Sequence, residues 1–170
     1  MKRILQSVII AVAAWTMIGA PGRAAGQSKA ALAFEHLTSL VGEWKGVQDG
    51  TQIDVTYTLT ANGSVLMEQF RPRNGPMMVT MFSVDGDRLL ATHYCAAKNQ
   101  PQMATEGIAD PLAKSVAFSL VRVTGLNSPD DWHNTGLVMT MEDPDRLTQK
   151  WTYLSNRKTG TNSFHLTRER

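Results

Sequence analysis

The sequence predicts an all-β domain: a closed antiparallel up-and-down barrel of about nine or ten strands with a short N-terminal helix. Three observations predict it. Short segments in which apolar and polar residues alternate recur from Trp44 to Arg168, separated by turns rich in Asn, Asp, Gly and Pro. No helical crossover lies between them, so sequential segments pair as hairpins. A meander that long leaves two unpaired edges, which closure into a barrel removes. A two-sheet sandwich is the alternative, and the hairpin-like connections favour the barrel.

In chain order, Lys2 and Arg3 precede an apolar run, Ile4 to Ala20, followed by Pro21, Gly22 and small residues suited to cleavage after Ala24. Residues 1–24 therefore read as a secretory signal peptide, and 25–170 as a single domain exported to the periplasm or secreted. The apolar run is short for a spanning helix, so no stable membrane anchor is expected after cleavage. Loss of Lys2, Arg3 and Arg23 changes the charge balance from 17 basic against 15 acidic residues to 14 against 15. The pI of 8.8 thus belongs largely to the targeting segment, and the basic footprint of a nucleic-acid binder is missing. With one cysteine, Cys95, no internal disulfide is available, so stability must come from packing.

From Ala30 to Val41 the apolar residues Phe34, Leu37, Leu40 and Val41 recur at helical spacing, and Gly42 ends the helix. Trp44 to Gln48 is the first strand. Ile53, Val55, Tyr57 and Leu59 alternate with Asp54, Thr56 and Thr58 in the second, and Ala61, Asn62 and Gly63 make a hairpin turn. Ser64 to Phe70, Met77 to Val84 and Arg88 to Tyr94 follow, broken at Arg71 to Pro76 and at Asp85, Gly86 and Asp87. Met103 to Ile108 is a weaker strand after a polar loop. Val116, Phe118 and Leu120 mark the next, and Leu126 to Thr135 is a loop. Leu137 to Glu142, Arg146 to Leu154 and Ser163 to Arg168 complete the set.

Reactive and hydrogen-bonding groups concentrate between Thr92 and Pro101, where His93, Tyr94, Cys95, Lys98, Asn99 and Gln100 occupy a strand end and the loop that it feeds. Alternation puts Leu89, Ala91, His93 and Cys95 on one face. In the Arg146 to Leu154 strand it puts Leu147, Gln149, Trp151 and Tyr153 inward. A buried amide left unpaired costs about 1–3 kcal/mol, so Gln149 requires a partner, for which His93 is a candidate. A cavity lined by His93, Cys95, Gln149 and Trp151, with Asn99, Gln100 and His133 near its mouth, would suit a small, partly polar or hydrophobic ligand. The plainer reading is a filled barrel in which His93 and Gln149 hydrogen-bond and methionines such as Met67, Met77, Met78, Met81, Met139 and Met141 pack around them.

The alternative function is a thiol-dependent enzyme or hydrolase with Cys95 as nucleophile and His93 as base, but no acid or oxyanion loop beside them completes a catalytic set. Zinc or copper held by His93, Cys95 and His133 is the sharper alternative, although neither paired cysteines nor a second close histidine supports it. No metal or cofactor is expected.

The opening pattern of Phe34, Leu37, Leu40, Gly42, Trp44 and Gly46 resembles the start of calycin-type, lipocalin-like barrels. With Thr92, His93, Tyr94, Cys95, then Asn99, Gln100, Pro101, and with Leu147, Thr148, Gln149, Lys150, Trp151, the chain resembles a family of small exported bacterial proteins of unknown function. The resemblance spans essentially the whole mature chain and implies a lipocalin-like barrel. Two positions depart from it: Lys98 stands where the family has glycine, and His133 and Thr135 where it has paired histidines. Some calycin barrels, the nitrobindin-like group, hold haem through a histidine on a late strand. Here that thought leads to His165, which the inward Phe164 and Leu166 send outward, so haem is not expected.

Overall fold

The computed structural model describes residues 27–48 and 50–170, so the expected signal peptide lies outside the described residues. Helix α1 (Lys29–Thr38) starts where the Ser28 hydroxyl accepts the Ala31 N–H at 3.1 Å, and it buries Ala30, Ala33, Phe34 and Leu37. It ends before the expected Val41. Leu40 and Val41 instead donate to the carbonyls of Leu37 and Thr38 in tightening turns, while Leu40 stays buried.

Ten strands follow: β1 (Gly42–Gln48), β2 (Thr51–Thr60), β3 (Val65–Pro72), β4 (Met78–Asp85), β5 (Arg88–Tyr94), β6 (Gln100–Ala104), β7 (Ser115–Thr124), β8 (His133–Asp143), β9 (Arg146–Ser155) and β10 (Lys158–Arg168). Each pairs antiparallel with its sequence neighbours, and β1 pairs with β10, closing the barrel. That seam requires glycine at position 46, because a Cβ there would sit 2.7 Å from the His165 carbonyl oxygen. Trp44 locks the same corner. Its indole N–H donates to the Leu40 carbonyl at 2.8 Å, and the Arg168 guanidinium lies 4.2 Å over its ring while donating to the Val41 and Ser39 carbonyls.

Three strands start at least three residues earlier than their patterns suggest. β6 begins at Gln100 because Gln100 and Gln102 are held by Thr124 and Arg122 of β7, a polar pairing that hides the strand's alternation. β8 begins at His133, ahead of a register shift between Asn134 and Gly136. β10 begins at Lys158 because Asn156 and Arg157, at φ 50° and 63°, form a two-residue turn, leaving no loop from Ser155 to Gly160.

Burial alternates as the barrel requires. At the α1 end the lumen is solid, filled by Leu37, Trp44, Leu66, Phe82, Leu89 and Leu147, all at most 1% exposed. Of the methionines, Met139 and Met141 are buried in this core with Met103, whereas Met67 and Met81 pair with each other on the face opposite Leu66 and Phe82. Met78 is half-buried at the far end, and Met77 is exposed.

Candidate functional site

A row of inward side chains crosses the barrel at mid-height. Tyr57 of β2 stands directly opposite Glu68 of β3, Glu68 opposite Thr80 of β4, and Thr80 opposite His93 of β5. Register alone therefore places four polar groups side by side on one wall. Gln149 reaches them from β9, on the far wall, next to inward Trp151.

The hydrogen-bond directions follow from one fixed donor. The Trp151 indole N–H can only donate, and it donates to Gln149 Oε1 at 2.9 Å. Gln149 Nε2 must then be the donating end, and it donates to Tyr57 Oη and Glu68 Oε2, both at 2.5 Å. Tyr57, whose oxygen accepts from Gln149, sends its own proton to Glu68 Oε2 at 2.6 Å. Thr80 Oγ1 lies 3.1 Å from Glu68 Oε1 and 2.9 Å from His93 Nδ1.

Burial sets the electrostatics. Glu68 is fully buried, and desolvation raises its carboxyl pKa against the lowering effect of hydrogen bonds from Tyr57, Gln149 and Thr80. Desolvation, reinforced by the Glu68 charge, holds the Tyr57 phenol well above its usual range. Burial lowers His93 to about 4, so its ring is neutral at neutral pH. Among the described residues no Lys or Arg is buried, so the Glu68 carboxyl group is held by hydrogen bonds rather than by a counter-cation.

This polar row floors a cavity of ≈ 240 Å³ in the half of the barrel away from α1. Phe70, Met78, Trp132, Trp151 and Phe164 form most of its wall, Glu68 and His93 its floor, and Gln48, Asn134 and Asn162 supply amides toward the mouth. Phe70 and Phe164 meet edge to face at 5.0 Å, and the His93 ring packs 4.8 Å from Trp151.

Of the residues singled out from sequence, His93, Gln149 and Trp151 come together here. The partner of Gln149 is Glu68 with Tyr57; His93 joins only through Thr80. Neither the other four nor Gln149 itself lines the cavity, Gln149 lying beneath it in contact with Glu68 and Trp151. β5 ends at Tyr94, so alternation does not carry Cys95 inward: it enters a turn, where its sulfur accepts the Ala97 N–H at 3.5 Å and burial raises its thiol pKa. Asn99 is buried behind the rim, donating to the Trp132 carbonyl at 2.7 Å. Gln100 is a β6 residue held by Thr124. His133 turns its Nδ1 to the Asp131 carbonyl at 2.7 Å, while Trp132 and Asn134 on either side line the cavity. Lys98 adopts φ 64° in the tight turn, a conformation that suits the glycine of the resembled family. His165 lies exposed on the outer face, 2.9 Å from Thr148 Oγ1. Among the described residues, no three His, Cys, Asp or Glu side chains cluster as metal ligands.

Within the buried polar row, Tyr57, Glu68 and Thr80 are the residues that sequence reasoning passed over. The signal was present in Leu66, Glu68 and Phe70, an acid between two apolar residues on one strand face.

The fold fits the lipocalin-like, calycin-type barrels. Among solved structures the chain resembles that of Rv2717c from M. tuberculosis, at a TM-score of 0.55 and 14% identity, covering 83% of this chain and 99% of that one. At that identity the likeness concerns the fold. No family model and no curated protein matches the chain.

Proposed function

We propose that this protein is an exported lipocalin-like barrel, akin to the family of small exported bacterial proteins that its motifs resemble, and that it binds a small, partly polar, mostly apolar ligand in the half-hollow lumen. The observation that carries this reading is the ≈ 240 Å³ cavity with an aromatic wall and a hydrogen-bonded polar floor. Apolar walls with a few convergent polar groups are what ligand sites in barrel mouths present. Thiol chemistry at Cys95 has less support, since its sulfur is held in a turn away from the cavity and burial disfavours the thiolate.

Calorimetric titration with two bicyclic aromatics, indole and quinoline, tests this reading. Binding of at least one is expected, and Asn162→Trp, which places an indole across the mouth, should abolish it. If neither binds, or if Asn162→Trp leaves binding unchanged, the reading is wrong.

A further inference from the structure

We propose that Glu68 and Thr80 fix the tautomer of His93, so that the cavity meets its ligand with a bare imidazole nitrogen and selects neutral aromatic compounds that carry an N–H or O–H donor. This rests on the cavity being a binding site and names the class of ligand that it takes.

Glu68 Oε2 already receives two hydrogens, one from Tyr57 and one from Gln149, so it carries no proton of its own. Those two donors favour the carboxylate against the burial that raises its pKa, and we take Glu68 as ionised, with Oε1 free to accept. With Oε1 bare, the single Thr80 proton goes to Glu68 Oε1. Thr80 then has only lone pairs for its other neighbour, so His93 must donate its Nδ1–H to Thr80. A neutral ring has one N–H, and it is now used. Nε2 is therefore an acceptor, on a ring that lines the cavity, and it has no protein partner among the described residues. The lowered basicity of His93 is consistent with a neutral ring.

The arrangement makes a sharp prediction for Glu68→Gln. Trp151 pins the Gln149 amide, so the atom facing Gln149 and Tyr57 must still accept, and the new carbonyl takes that place. The new NH₂ then donates to Thr80, Thr80 donates to His93 Nδ1, and the proton of His93 moves to Nε2. The cavity would now offer a donor.

Indole is a donor without an acceptor nitrogen, and quinoline is an acceptor of similar size. The wild-type protein should bind indole at least tenfold more tightly than quinoline, and Glu68→Gln should reverse the order. Thr80→Val, which cuts the connection at nearly constant volume, should bring the ratio to within about threefold. In the ligand-free proteins, ¹⁵N NMR of the His93 ring should show Nδ1–H in the wild type and Nε2–H in Glu68→Gln. Equal binding of both compounds by the wild type, or an Nε2–H ring there, overturns the proposal while leaving the cavity a binding site. If Glu68→Gln does not fold, the wild-type tautomer and the Thr80→Val ratio decide. Failure of both compounds to bind removes the binding reading, and with it the ligand class.

Discussion

The two halves of the barrel interior are built from the same strands in the same alternation, yet one is solid and the other holds a cavity. In the solid half the inward positions carry Leu66, Phe82, Leu89 and Leu147, and α1 adds Phe34 and Leu37 from above. In the hollow half the inward rings of Phe70, Trp151 and Phe164 stand around the space rather than across it. The boundary is the row of Tyr57, Glu68, Thr80 and His93, bridged by Gln149. A polar group buried there needs partners at fixed positions, so the row sets where close packing ends.

The contrast is testable by substitution, beginning with the largest effect. Phe82→Ala, at a position 0% exposed and packed against Phe118, should cost about 3–5 kcal/mol in urea unfolding. Phe164→Ala, on the cavity wall, should cost less than half as much, because one side of its ring already faces open space. Equal costs would mean that the far half closes around its rings in solution.

Breaking the boundary comes next. Gln149→Leu leaves the Trp151 N–H without its acceptor and takes a donor from Glu68. With each orphaned buried group worth about 1–3 kcal/mol, a loss of about 2–4 kcal/mol is expected in the same measurement. A change below 1 kcal/mol would show that the bridge is not formed.

The boundary also has a pH signature. The folded pKa of His93, about 4, lies below the ordinary histidine value of 6.5, so between those limits the unfolded chain binds a proton that the folded one refuses. Its contribution is present above 6.5 and is lost as pH falls toward 4, at up to ~1.4 kcal/mol per pH unit. Glu68 acts in the opposite sense. Its raised pKa means that stability lost to the buried charge returns as pH falls through the folded value toward 4.5. The two slopes offset each other in the wild type, and Glu68→Gln should expose that of His93. Urea unfolding at pH 6.5, 5.5 and 4.5 should therefore show a steeper acid loss for Glu68→Gln than for the wild type. An equal or shallower slope would place His93 outside the buried row.

The smallest effect lies outside both halves. Lys98→Gly relieves a left-handed backbone and should stabilise by about 1 kcal/mol, with cavity binding unchanged.

The barrel was legible in the sequence because nearly every strand alternates buried and exposed residues and the short turns between them make sequential hairpins. β6 was hidden because Gln100 and Gln102 look like loop residues until Thr124 and Arg122 are placed beside them. The first turn of β10 was hidden because Gly160 lies under the Tyr153 ring, a cross-strand contact that no local pattern reveals. The site was half legible. Gln149 could be assigned inward from its own strand, and its need for a partner was sound. The partner could not be chosen, because Glu68 lies 81 residues away in sequence and is brought near only by the curvature of the closed sheet. Cys95 misled because a strand's alternation stops where its hydrogen-bond ladder stops, and that boundary was one residue too short for it.

The methionine methyls offer the most direct test, since Met78 borders the cavity while Met103 and Met139 are fully buried and outside its lining. In ¹³C-methyl NMR spectra recorded during titration with indole, the account predicts a saturable shift of the Met78 methyl with Met103 and Met139 unmoved. A Met78 signal that stays in place while indole binds, or equal shifts at all three methyls, would contradict it.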